Sequence, residues 1–157
     1  MRRSTLERLA GLLLALAAGC ATSLAASGRT QRTFFIWEGV TMYLPEGANR
    51  DTLRFIRQSS TSGSSVVFDY VLPGALDATG GGLYGAKGTA TRVAERGEPW
   101  LSGWSKEQTA ALVSAQGLVF VSDLGAAEMT ARYLIGSDGR PDGRMGDYVR
   151  YIHARVP

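Results

Sequence analysis

Thr33-Phe34-Phe35-Ile36-Trp37-Glu38-Gly39-Val40-Thr41-Met42-Tyr43-Leu44-Pro45 is the stretch on which the fold turns. Thr33 to Trp37 is β-branched or aromatic throughout, the composition of a short buried strand. It stops at Glu38-Gly39, where a carboxylate follows an apolar run directly. Pro45 and Glu46 then suit a first helical turn, and Leu53 and Ile56, with Ala48 or Thr52, share one face. The spacing predicts a helix over 45–58. After a polar turn at 59–64, Ser65 to Leu72 (SVVFDYVL) reads as a second buried strand, interrupted by Asp69.

Working outward, residues 73–103 are glycine-rich and too irregular for regular secondary structure throughout. They contain a formal G-x-G-x-x-G at Gly80 to Gly85, which follows no strand and reads first as a flexible connection. Ser105 to Gln116 reads as a helix, with Ser105 as N-cap, Gln108 three residues on, and Leu112 and Val113 on its apolar face. Gly117 is placed to end it. Leu118 to Leu124 is a third strand, Ala126 to Leu134 a short helix, and Tyr148 to Val156 a final alternating strand beyond a polar turn region at 136–146. Strands alternating with helices predict an α/β fold. Such folds bind ligands outside the carboxyl ends of their strands, which singles out Glu38 and Asp69.

Composition narrows the function. The chain has 157 residues, 45% of them hydrophobic and 20% charged, the profile of a globular domain rather than a disordered chain. One Cys and one His exclude an internal disulfide framework, a Cys-rich zinc site and a histidine-cluster metal site. A net charge of +3, with basic residues scattered rather than striped, gives no support for nucleic-acid binding. His153 alternates within the last strand and reads as structural.

The first 22 residues carry two readings. Met1-Arg2-Arg3 is basic, Leu9 to Ala18 is apolar and Ala17-Ala18-Gly19-Cys20 follows, the order of a secretory signal with a lipoprotein cleavage box, in which Cys20 would be acylated and the protein anchored to a membrane. The run is short for a transmembrane span. Leu6, Leu9, Leu13 and Leu16 also have helical spacing, so an amphipathic helix or a chance apolar lead-in explains the segment equally, with a cytoplasmic protein behind it.

The stretch from Thr33 to Pro45 closely resembles the motif of the leucine carboxyl methyltransferase-like family of S-adenosylmethionine-dependent methyltransferases. Gly63 to Tyr70, Gly97-Glu98-Pro99-Trp100, and Asp123-Leu124-Gly125 through Ala131-Arg132-Tyr133-Leu134 resemble further landmarks of that family in the same order. The resemblance covers residues from about Ser23 to the C-terminus and implies a Rossmann-like methyltransferase sheet. The glycine-rich loop after the family's first strand, and the acidic residue after its second, have no counterpart that can be placed. The resemblance therefore implies the C-terminal half of a methyltransferase domain over 23–157, with strands four to seven present and the first three missing.

The implied chemistry is methyl transfer from S-adenosyl-L-methionine to a small-molecule or carboxylate acceptor, which needs two reactants held collinear rather than a covalent catalyst. By resemblance, Glu38 and Gly39 would contact the cofactor, and Tyr43, Asp69 and Tyr70 would border the acceptor. Glu38 could equally cap the following helix, Gly39 could be a turn glycine, and Tyr43 a half-buried aromatic. Trp100 and Trp104 are expected to pack a lid. Set against the enzyme is a non-catalytic remnant or a membrane-anchored lipoprotein-like module. A half sheet would also expose a strand edge and apolar surface, predicting association.

Overall fold

The computed structural model describes residues 31–157; the signal-like segment with Cys20 lies outside the described residues. Four strands form one sheet: β1 (Phe34–Trp37), β2 (Ser65–Val71), β3 (Val119–Leu124) and β4 (Val149–Arg155), in the spatial order β1-β2-β4-β3. β1 pairs parallel to β2, and β4 pairs antiparallel to both β2 and β3. It follows that β1, β2 and β3 all point the same way. Their carboxyl ends, and the start of β4, lie along one end of the sheet.

Helix α1 (Glu46–Ser59) returns the chain from β1 to β2, burying Asn49, Leu53 and Ile56 at the spacing of one helical stripe. Helix α2 (Ala86–Glu95) lies in the glycine-rich region, α3 (Lys106–Ala115) precedes β3, and α4 (Ala126–Tyr133) follows it. Leu53 and Ile56 from α1, with Leu112 and Val113 from α3, pack against Val66, Phe68 and Tyr70 of β2 and Ile152 and Ala154 of β4. Because side chains alternate along a strand, this core takes one face of the sheet only. Trp104 belongs to it, tilted against Tyr70 at 6.4 Å between ring centroids, and is therefore a core residue rather than part of a lid. A satellite cluster of Met42, Val71, Ala75 and Ala86, with Tyr43, Leu83, Trp100 and Tyr148 around it, caps the carboxyl end of β2.

The α/β reading and all four strands agree with the sequence. Two expectations differ. Residues 73–103 are largely irregular as expected but hold one helix the sequence did not place: α2 forms there with Gly85 in the left-handed conformation as its N-cap. Only Ala86 of this helix is buried, so it carries no apolar stripe by which its sequence could announce it. Second, β1 is an edge strand rather than a buried one. Phe34 is 61% and Ile36 72% exposed, because among the described residues no strand pairs with its outer edge and nothing covers that face. No helix among the described residues is long and apolar enough to cross a membrane.

Candidate functional site

The carboxyl ends of β1 and β2 meet through a set of hydrogen bonds that the sequence does not advertise. Gly39 turns the chain out of β1 with φ +71, a conformation that favours glycine, and a Cβ there would have no heavy atom within 4 Å. Its backbone N–H donates to Asp69 Oδ1 at 2.8 Å. One turn further, the Thr41 hydroxyl donates to the carbonyl of Asp69. Asp69 thus holds both ends of the Glu38–Thr41 turn. The next residues are held from elsewhere: buried Asn49 donates through Nδ2 to the Thr41 carbonyl at 3.0 Å, Ser102 Oγ donates to that carbonyl at 3.0 Å, and the Leu101 N–H donates to the Met42 carbonyl at 2.6 Å.

Asp69 is 5% exposed, and burial pushes its carboxyl up from the usual 3.8 to about 6, with the Gly39 N–H pulling the other way and the nearby Glu38 charge adding to the rise. Glu38 itself is exposed at the rim. The Tyr151 phenol is raised by burial and by the charges of Asp69 and Glu38.

The five residues singled out in the sequence divide accordingly. Glu38, Gly39 and Asp69 come together at the carboxyl ends of neighbouring strands, and Tyr43 stands half-buried at the end of the Thr41–Tyr43 turn. Tyr70 stands apart. As the residue after Asp69 it points to the opposite face, fully buried, and its hydroxyl donates to Asp123 Oδ2 at 2.6 Å. Asp123 in turn accepts from Arg150 Nε at 2.7 Å. Tyr70 is a core residue of a buried polar network, and an acceptor molecule at the end of the sheet would not touch it. Asn49, Ser102 and Tyr151 were missed. For Asn49 a signal existed, a polar residue four before Leu53 and seven before Ile56 on the apolar stripe; for the other two, only folding brings them to the site.

A cofactor's fit can be judged from these residues. An exposed carboxylate beside an uncrowded, left-handed glycine suits a ligand that presents an ammonium group and approaches the backbone closely. Among the described residues no cluster of His, Cys, Asp and Glu could hold a metal ion.

No protein-family model matches the chain. A relative in Bacillus subtilis (strain 168), named "Putative S-adenosyl-L-methionine-dependent methyltransferase YktD", is 28% identical over 133 residues, which cover 80% of this chain and 40% of the relative. The chain resembles a methyltransferase in sequence. It spans less than half the length of that relative. Among solved structures, a DUF574 family protein from Streptomyces avermitilis MA-4680 superposes with a TM-score of 0.53 at 14% identity, over 83% of this chain and 46% of that one. That likeness concerns the fold, a partial Rossmann-like α/β unit. An O-methyltransferase of neocarzinostatin biosynthesis, NcsB1, solved with S-adenosyl-L-homocysteine and 1,4-dihydroxy-2-naphthoic acid, is more distant, with a TM-score of 0.46 at 14% identity over 79% of this chain and 29% of that one.

Proposed function

We propose that this chain carries the C-terminal half of an S-adenosyl-L-methionine-dependent O-methyltransferase domain acting on a small molecule. The observation that carries the reading is the Glu38–Gly39 turn at the carboxyl end of β1, locked by Asp69 from the next strand. The sequence likeness to a methyltransferase points the same way. When bound, the cofactor supplies an electrophilic methyl group on a sulfonium. Glu38 offers a carboxylate for its amino group and Gly39 a backbone free of side-chain obstruction. Asp69 fixes that turn and, with Tyr43, borders the acceptor. Tyr70 supports the site from the core. The fold's part is orientation: rate comes from holding two reactants in line, and a turn tied down at Gly39, Thr41 and Met42 is suited to that task.

The resemblance to leucine carboxyl methyltransferases adds that the methylated atom is an oxygen, of a carboxylate or a hydroxyl. Since the chain spans 40% of its relative, we further propose that cofactor affinity is weak on the described residues alone and is completed by chain that continues the sheet beyond β1. Isothermal titration with S-adenosyl-L-methionine tests the reading. Saturable binding, weakened about tenfold in Glu38→Gln, the size expected of one charge-assisted hydrogen bond, is the expected result. No heat at millimolar cofactor would sink it for this chain.

A further inference from the structure

The end of the sheet carries a polar pair that the assignment above leaves unused. Asp69 of β2 lies directly opposite Tyr151 of β4 in the antiparallel register. Residues so opposed project from the same face with Cβ atoms about 5 Å apart. That face is the one turned away from α1 and α3, because Phe68, Tyr70 and Ile152, which alternate with Asp69 and Tyr151, occupy the core side. Asp69 Oδ1 is taken by the Gly39 N–H. Apart from Asp69's own backbone N–H, no described residue donates to its other oxygen, Oδ2, or pairs with the Tyr151 hydroxyl, and neither is among the fully enclosed unpaired atoms. An acceptor and a donor thus belong to directly opposed residues on one face of the sheet, each left unpaired by its described neighbours.

Charge decides which ligand. Glu38, from the end of β1, acts on both groups, and Tyr148 acts on Tyr151 from the start of β4. Among the described residues no lysine or arginine acts on either Asp69 or Tyr151. Arg150, next in the chain, is on the opposite face and committed to Asp123. In the chain without cofactor, a carboxylate ligand would add a third negative charge beside Asp69 and Glu38 with no cation among the described residues to offset it, and like charges at such range cost rather than gain. A neutral hydroxyl meets both open positions, donating to Oδ2 and accepting from the phenol.

We propose that Asp69 and Tyr151 form the hydroxyl-binding pair of the acceptor site, so that the acceptor is a neutral phenol or alcohol rather than a carboxylic acid. The proposal rests on the methyltransferase reading for the word acceptor, though the pair itself does not. Asp69 titrates at about 6 and is ionised at neutral pH, so both its oxygens accept hydrogen bonds there.

The test uses the full chain labelled with nitrogen-15, and follows the Gly39 amide, whose hydrogen bond to Asp69 makes it a local reporter. 2-Naphthol is titrated at pH 7.5 against 2-naphthoate, which matches it in shape and differs in charge. The naphthol should shift the Gly39 resonance, with the naphthoate binding at least about tenfold more weakly. Tyr151→Phe and Asp69→Asn should each weaken the naphthol about tenfold, the size of one hydrogen bond, and the amide resonances around Tyr70 and Trp104 show that each variant keeps its core. Naphthoate binding as tightly as naphthol, wild-type affinity in both variants, or a Gly39 resonance that ignores naphthol would each overturn the pair. A separate titration with S-adenosyl-L-homocysteine keeps the two ideas apart. If it leaves Glu38 and Gly39 unshifted the methyltransferase reading fails, while the naphthol comparison still decides the pair.

Discussion

At the scale of single residues, Asp69 and Tyr70 show how adjacent positions acquire unrelated tasks. One reaches toward the strand ends to hold Gly39, and the other turns into the core to meet Asp123. A strand places successive side chains on opposite faces, so both could not border one ligand at the face opposite the core. Asp69 also makes a prediction about stability. Its carboxyl titrates at about 6 when folded against 3.8 as the ordinary value, so the native chain holds a proton over that window which the unfolded chain has lost. Stability contributed by this group is therefore full below about 4 and falls as pH rises through 6. Asp69→Asn removes the charge and keeps an oxygen for Gly39. Relative to wild type, the variant should gain on the order of 2 kcal/mol between pH 4.5 and pH 7, read from urea denaturation at the two pH values. An unchanged difference would show that Asp69 is not buried as described. The comparison must be a difference, because Glu107 and Glu128, both held below the usual range, by the Ser105 hydroxyl and by backbone N–H groups at their helix starts, slope the other way.

At the scale of elements, the local signals that proved most legible were those that close their own hydrogen bonds. Ser105 accepts from the Gln108 N–H at 3.2 Å while Gln108 Oε1 accepts from the Ser105 N–H at 2.8 Å, a reciprocal cap that four consecutive residues are enough to specify. Gly117, with φ +73, ends the same helix as its spacing predicts. Ser105→Ala should cost about 1 kcal/mol, measured as a lower urea midpoint with an unchanged slope. Helix α2 was illegible for the opposite reason. It has no side-chain cap and buries one alanine, so its existence rests on Gly85 and on packing against the turns before it rather than on its own sequence.

At the scale of the whole molecule, the open side of the sheet is the dominant fact. Phe34 and Ile36 stand exposed on β1, and on β3 at the other edge Val119, Phe120 and Val121 are each more than a third exposed. Apolar edge strands are templates for pairing, and the register shift between Phe120 and Ser122 is a bulge that blunts the β3 edge, while among the described residues β1 has no such device. The chain should therefore associate as its concentration rises. Phe34→Lys with Ile36→Lys should shift sedimentation toward monomer without lowering the unfolding free energy from urea titration by more than about 0.5 kcal/mol, since both side chains are already solvent-facing. A wild-type chain that stays monomeric would contradict this account of the edge.

Taken by itself, the sequence determined the α/β class, all four strands, three of the four helices and the carboxylate-bearing end of β1, because periodicity, caps and turn glycines are local and survive without a partner. Tertiary structure alone decided that β4 inserts antiparallel between β2 and β3, which brings Tyr151 opposite Asp69. It alone decided that Thr33 to Trp37, apolar enough to be buried, lies on an edge, and that Tyr70 leaves the site for Asp123. Strand order and facing depend on contacts between residues dozens of positions apart, which a local pattern of residues does not encode.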